Sequence, residues 1–375
     1  MKILFIWHSL VEKEYRKILF SLTETDCEIL AITPTRWTEG GKLCKVVDSV
    51  ELPKLKIEPC KVIFHNRIKV FFYPEILKLV NLVKKFDPDI IHIFEEPYSL
   101  VVFQFILLNK LLSTRAKIVV QSFENIFIHQ TFPFSVIEKF NLTLTDSMIV
   151  VPGDGKDIWQ KKGYKKEIIQ IPVGLDNKLF RKIAERTADE VSVCFIGRLI
   201  KEKGIFDLLS VFSKLVKEGL NVKLVFVGQG KEKKKLKTVV EKEQLITRVV
   251  FVDRIENENL PEFLSKEIDI LVLPSVTTKK WKEQFGRVLI EAMACEVVVV
   301  GSSSGEIPNV IGDAGFIFPE GDKKTLLGIL KKLVLEPELR GQMAKLGRQR
   351  VETYFTWDKI AERIKGIYTE VMKCD

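Results

Sequence analysis

Short runs of Val, Ile and Leu, mostly four to six residues long, alternate with longer helical patterns along the whole chain. Runs that are apolar almost throughout, not at every second position, are buried on both faces and belong in parallel sheets. In the first half they are Lys2–Trp7, Cys27–Thr33, Asp89–Phe94, Lys117–Ser122, Ser147–Val151 and Ile168–Pro172. Helical patterns cover Glu12–Leu22, Glu75–Phe86, Tyr98–Leu112 and Ser135–Leu144. The second half repeats the alternation, with strands at Val191–Ile196, Val222–Val227, Val249–Val252, Ile268–Leu273, Val297–Gly301 and Gly315–Phe318. This predicts an α/β fold of two Rossmann-like, doubly wound parallel-sheet domains facing across a cleft. The expected division is residues 1–172, 173–355 and a closing helical segment, 356–375, that returns to the first domain. Pro172, Gly174 and the polar run Arg181–Glu190 read as the linker. Thr356 is placed to N-cap the last helix.

With 375 residues, 46% apolar and 29% charged, the chain can bury two cores. The formal net charge is +9, spread over both halves: 24 Lys and Arg against 20 Asp and Glu in residues 1–172, and 35 against 30 beyond. Without a clustered basic patch, nucleic acid is not an expected partner. Cys27, Cys44, Cys60, Cys194, Cys295 and Cys374 form no C-x-x-C pair, which points to free thiols in a reducing compartment. The opening MKILFIWHSL is too short an apolar run for a signal peptide and reads as a strand. The longest apolar stretch, Tyr98–Leu112, is shorter than the roughly 20 residues that cross a bilayer. A cytoplasmic location follows as the expectation, with the inner face of the cell membrane as a further site of action.

Three constellations carry chemistry. Gly197–Gly204, GRLIKEKG, follows a buried strand and precedes a helix, so Arg198 and Lys203 stand where helix amides already favour an anion. A diphosphate leaving group gains charge as its bond breaks and needs such a clamp; otherwise these are two surface charges. Next is EQFGRVLIEAMA, 283–294. If its helix starts near Phe285 or Gly286, the amides of Gly286, Arg287 and Val288 form a second phosphate cradle. Glu283 is placed to accept from sugar hydroxyls and Glu291 from ribose hydroxyls, the alternative being an ordinary amphipathic helix with Glu291 exposed. The third, Gly301–Pro308, is a small-residue loop that lets a ligand approach the backbone, or a plain turn. Gly228-Gln229-Gly230 reads mostly as turn chemistry.

These motifs, with VGQG at 227–230, LPS at 273–275, GSSSGEIPNVIGDAGFIFPEGD at 301–322 and IPVGLDNKLF at 171–180, resemble a retaining glycosyltransferase of family 4 with the GT-B architecture. The resemblance covers most of 168–375. In the first half it rests on DIIHIFEEP at 89–97 and KIVVQSFEN at 117–125. It implies that Arg198 and Lys203 hold the donor diphosphate, Glu283 the transferred sugar and Glu291 the ribose. The base would lie against Asp253–Ile255, including Arg254 and Ile255. Gly228, Phe285, Gly286, Arg287 and Val288 complete the donor side. His8, Ser9, Glu96, Glu124 and Asn125 are assigned to the acceptor side. Glu283, Arg198, Lys203 and Glu124 form the expected catalytic set. The reaction would retain anomeric configuration, with the leaving phosphate helping to deprotonate the acceptor hydroxyl. No metal and no cofactor are expected; the substrates would be a nucleotide-sugar such as a UDP- or GDP-sugar and a glycan, lipid-linked or small-molecule acceptor.

The sequence departs from that pattern at two places. Trp7–Val11 has no glycine after the first strand, so His8 and Ser9 would substitute. Ser122-Phe123-Glu124-Asn125 stands where many members have a histidine. Glu124 then acts on the acceptor, or Glu124 and Asn125 merely cap the next loop. Phe71–Tyr73 and Phe132–Phe134, with Lys84, Lys85 and Arg115, would meet a membrane surface or pack in the core. A nucleotide-sugar epimerase on the same fold and a non-catalytic sugar-nucleotide sensor are the competing readings.

Overall fold

The computed structural model describes residues 1–39, 42–46, 49–184, 186 and 188–373. The chain splits into two compact units, Met1–Gly174 with Trp357–Asp375, and Leu175–Thr356. Cys374 and two positions of the expected linker, 185 and 187, lie outside the described residues.

The first unit runs β1 (Lys2–Ile6), α1 (Lys17–Glu24), β2 (Glu28–Pro34), β3 (Arg36–Glu39), β4 (Lys42–Lys45), β5 (Val50–Leu52), β6 (Leu55–Cys60), α2 (Ile76–Phe86), β7 (Ile90–Ile93), α3 (Leu100–Leu111), β8 (Lys117–Ser122), α4 (Phe134–Leu144), β9 (Ser147–Val150), α5 (Asp154–Lys161) and β10 (Ile168–Gln170). Its sheet has the order β10-β9-β8-β7-β1-β2-β6-β5. The central register sets Ile3 beside Ile29 on one side and Ile90 on the other. From β1 the chain winds one way through β2 and β6, then returns to β7 and winds the other way. The switch point therefore falls between β1 and β7, where an open α/β sheet presents its ligand loops.

Three expectations are corrected here. The sheet is not wholly parallel: β5 runs antiparallel to β6, because Pro53 and Lys54 turn the chain back directly. The segment 36–60 carries four strands that the sequence reading missed, since their charged, short runs lack a Val/Ile/Leu signature; β3 and β4 form a separate antiparallel ribbon. The expected helix Glu12–Leu22 opens instead as two 3-10 turns, His8–Val11 and Lys13–Arg16, and becomes α-helical only at Lys17. Glu12 between them is extended, and Arg16 Nε donates to Leu10 O at 2.7 Å across the break.

The second unit runs β11 (Val191–Ile196), α6 (Ile205–Lys217), β12 (Val222–Val227), α7 (Lys233–Lys242), β13 (Val249–Val252), α8 (Leu260–Glu267), β14 (Ile270–Leu273), α9 (Arg287–Ala294), β15 (Val298–Ser302), α10 (Ile307–Ile311), β16 (Phe316–Phe318), α11 (Lys323–Leu335) and α12 (Pro337–Tyr354). Its sheet order is β13-β12-β11-β14-β15-β16, with every pairing parallel. The same logic puts its switch point between β11 and β14. The last helix, α13 (Trp357–Lys373), belongs to the first unit and packs on α1. Ser21 Oγ donates to Asp358 Oδ1 at 2.7 Å, and buried Tyr368 meets His92 Nδ1 at 2.6 Å. Among the described residues no helix is long and apolar enough to cross a membrane.

Candidate active site

In the second unit the site loops are fixed by close backbone approaches. Gly204, left-handed at φ 66°, caps the 3-10 turn Lys201–Lys203 and is the N-cap residue of α6; a Cβ there would stand 1.8 Å from Pro274 O. A Cβ on Gly228 would stand 2.1 Å from Gly197 O, and one on Gly305 1.9 Å from Glu283 O. No other residue type fits such contacts. Gly228 is thus more than turn chemistry: it lets the loop after β12 press on the loop carrying Arg198.

On this frame Lys203 Nζ donates to Glu283 Oε2 at 2.6 Å, and Ser275 Oγ donates to the same oxygen at 2.8 Å. The Trp281 ring lies 5.3 Å from the ammonium. The expected clamp is therefore split. Lys203 is committed to Glu283, while Arg198 is exposed and its guanidinium has no bonding partner among the described residues. The sequence reading also put both residues at the N-terminus of a helix, but α6 begins only at Ile205, so they lie on the preceding loop and 3-10 turn.

Helix α9 starts at Arg287 with left-handed Gly286 as its N-cap residue, which brings the amides at 286–288 to the helix start. Glu291 is buried on it and pairs with Arg287, Nε to Oε1 2.9 Å. Phe285 is buried edge-on against Phe355, so its side chain serves packing. Arg254 is exposed, 3.8 Å from Glu256, and Ile255 is half-buried. Beside them Asp253 accepts from Lys233 and Gln229, and the Lys233 bond holds its carboxyl below the ordinary range.

In the first unit the loops at the β1/β7 switch bring His8 to Glu95. His8 Nδ1 lies 2.7 and 2.8 Å from the two Glu95 oxygens, and the His8 amide donates to Oε1 at 2.8 Å. An acceptor-only carboxylate on Nδ1 places the ring proton there. His92, on β7, is by contrast a buried structural group whose pKa burial pushes down to about 3. Ser9 is buried in the turn after His8.

Glu96 accepts from Ser122 Oγ at 2.6 Å and from the Phe123 amide at 2.8 Å, which closes the end of β8. Burial, reinforced by the charge of Glu124, raises its carboxyl to about 8. Glu124 is also raised by burial, opposed by the amide of Ile126, by Lys162 and by the Tyr98 hydroxyl. The Ile126 amide lies 3.4 Å from Glu124 Oε1, so Glu124 does brace the following loop while standing beside a second acid. Asn125 is buried next to it. Lys162 pairs with Glu138 at 2.6 Å, 4.7 Å from the Trp159 ring. Among the described residues no three His, Cys, Asp or Glu side chains are grouped to hold a metal.

Sequence reasoning missed Glu95, Ser275, Trp281, Tyr98 and Lys162 as parts of these clusters. Glu95 had a signal, the doubled acid after β7. Lys162 and Tyr98 had none, because their partners are far along the chain.

Residues 176–350 match the family model of glycosyl transferases group 1. Over this segment, somewhat less than half of the chain, the sequence is similar to that family. It is 31% identical over 201 residues to the capsular polysaccharide biosynthesis glycosyltransferase CapM of Staphylococcus aureus, covering 53% of this chain and 51% of that one. It is 26% identical over 345 residues to N-acetyl-alpha-D-glucosaminyl L-malate synthase of Bacillus anthracis, covering 85% of this chain and 87% of that one. The chain thus spans about half the length of the first relative and most of the second. The structure of HepE from Anabaena in complex with UDP and glucose superposes with a TM-score of 0.70 at 16% identity, over 99% of this chain and 100% of that one. The chain has the GT-B fold.

Proposed function

We propose that this glycosyltransferase moves a hexose-type sugar from a nucleotide-sugar to a glycan, lipid-linked or small-molecule acceptor, with retention and without a divalent metal. The observation that carries the reading is the Lys203–Glu283–Ser275 cluster at the β11/β14 switch, with exposed Arg198 on the same loop as Lys203. Arg198 meets the diphosphate as charge builds on it, and Lys203 shares its ammonium between that charge and Glu283. Glu283 orients the transferred sugar. Glu291, already held by Arg287, takes the ribose, and Arg254 and Ile255 face the base. The UDP and glucose bound by the structural relative favour a UDP-sugar donor.

The first unit then serves the acceptor. His8, oriented by Glu95, and Glu124, backed by Glu96, receive its hydroxyls, and the leaving phosphate takes the proton. The enzyme works in the cytoplasm, at the inner face of the membrane.

Incubation with labelled UDP-, GDP- and ADP-sugars plus candidate acceptors, in EDTA, tests this. Nucleotide release with sugar appearing on the acceptor at unchanged anomeric configuration is the expected outcome. Isomerised sugar without transfer would favour an epimerase, and binding without turnover a sensor. Loss of transfer in EDTA that Mg²⁺ restores would remove the metal-independent mechanism.

A further inference from the structure

Helices α2 and α3 precede neighbouring parallel strands, yet between them lies an open apolar groove of about 340 Å³, lined chiefly by Phe72, Ile76, Leu79, Phe103, Leu107 and Leu111. That volume is within the range of pockets that hold small ligands. One polar side chain, Gln104, lines it, and both ends of its amide are occupied: Oε1 accepts from Tyr73 N at 3.0 Å and Nε2 donates to Tyr73 O at 2.6 Å. The groove therefore offers nothing to a polar ligand. Of its lining residues Leu111 is 72% exposed and Ile76 48%.

The charge on the two helices is one-sided. ILKLVNLVKKF and LVVFQFILLNKL carry Lys78, Lys84, Lys85 and Lys110 and no acidic residue. Lys84 and Lys85 are in the last turn of α2, and Lys110 in the last turn of α3. Because β7 and β8 are parallel, those ends lie at the same edge of the sheet, beside exposed Arg115. An apolar trough whose end carries Lys84, Lys85, Lys110 and Arg115 against one exposed acid, the α2 C-cap Asp87, matches an acyl chain whose headgroup is anionic. A second copy of this chain fits poorly, since α2 and α3 would offer it only further lysines and no acidic residue to meet these.

We propose that the α2–α3 groove seats an acyl chain of an anionic phospholipid bilayer, with Lys84, Lys85, Lys110 and Arg115 on the headgroups. This sharpens the membrane contact proposed above, but its observations and its test need no transferase activity.

The full chain is floated with vesicles of phosphatidylglycerol in phosphatidylcholine, and with phosphatidylcholine alone. Binding to the anionic vesicles that weakens with salt is expected. Leu107→Glu/Leu111→Glu should lower partitioning at least about ten-fold, and Lys84→Ala/Lys85→Ala about five-fold for each charge removed. Leu107 and Leu111 are exposed, so folding should survive; nucleotide-sugar affinity, read on the same variants, should not change. Phosphatidylglycerol bearing a diazirine in one acyl chain should label α3. Equal binding to neutral vesicles, label confined to other elements, or a groove that instead makes a dimer abolished by Leu107→Glu would each overturn the assignment. Flotation without sugar transfer would leave the groove standing and sink the enzymatic reading instead.

Discussion

Lys203 and Glu283, eighty residues apart, meet at 2.6 Å with Ser275 on the same oxygen, their side chains 13% and 10% exposed. The residue expected to bind phosphate and the residue expected to bind sugar are thereby one unit, so a change at either alters the other. An anion arriving near Lys203 would compete with Glu283 for one ammonium, so in the proposed site diphosphate binding would be coupled to the freedom of the carboxylate assigned to the sugar.

Lys203→Ala should leave a nearly buried carboxylate without its cation and cost ~2–4 kcal/mol, somewhat under the loss from a fully enclosed pair. In Lys203→Ala/Glu283→Gln most of that stability should return while turnover stays low. Thermal melts and initial rates on the four proteins of the cycle check this. Purely additive losses in stability would show that the pair is not a unit.

Arg198→Ala should behave differently, because Arg198 is exposed and unpartnered among the described residues. Stability should hold within ~0.5 kcal/mol. Turnover should fall ~10²–10³, the scale for one preorganised charge-stabilising group. Near-normal turnover in a folded variant would remove Arg198 from the site.

Glu124→Gln keeps the side chain's shape and its acceptor for the Ile126 amide, and removes its charge. Nucleotide-sugar affinity should stay within about two-fold while turnover drops by at least ~10². A weaker donor affinity, or no change in either quantity, argues for the loop-bracing role alone.

Glu96 has a pH signature. Its carboxyl is raised from its ordinary 4.5 to about 8, first by burial and then by Glu124. The folded state therefore holds a proton that the unfolded state has released, and the stability tied to it is full below about pH 4.5 and lost as pH rises through about 8. Glu96→Gln, neutral throughout, should gain stability relative to the parent across that window and lose the difference below it. Melting temperatures from pH 4 to 9 for both proteins decide; parallel curves would mean that Glu96 is ionised in the folded protein.

Gly204→Ala should cost ~2–5 kcal/mol, combining left-handed strain with a Cβ driven into Pro274 O. Gly219, also left-handed at φ 81° but with nothing within 4 Å of a Cβ, is the control. Gly219→Ala should cost only about 1 kcal/mol. Equal losses in the two melts would deny the close approach any weight.

Much of this was legible in the sequence. Apart from β3 to β6, the strand positions of both units follow from Val/Ile/Leu runs, and α9 starts at Arg287, within two residues of the expected Phe285 or Gly286. The segment 36–60 was not legible, because β3 to β6 are short and partly charged and depend on pairing with one another. The commitment of Lys203 to Glu283 was hidden for a related reason: local motifs place residues on loops, but which loops touch is decided by sheet order. Sequence named His8 and Glu96 but passed over Glu95, which an adjacent acid made look redundant. In the structure the two acids bond differently, Glu95 to His8 and Glu96 to Ser122 and Phe123.

The frame around Glu283 contains no side chain at the points where it is tightest, only the bare backbone of Gly204, Gly228 and Gly305 against Pro274, Gly197 and Glu283 itself. A site bounded in this way cannot be widened by substitution, since no residue is smaller than glycine, and any replacement at those points pushes two loops apart. If the proposed donor site is the one so framed, drift toward a new sugar or a new base would run through outer positions such as Lys279, Lys280 and Arg254, which are exposed. Variants collected at those tips would be expected to change which donor is chosen with little effect on melting temperature, whereas variants at the three glycines would lower both together.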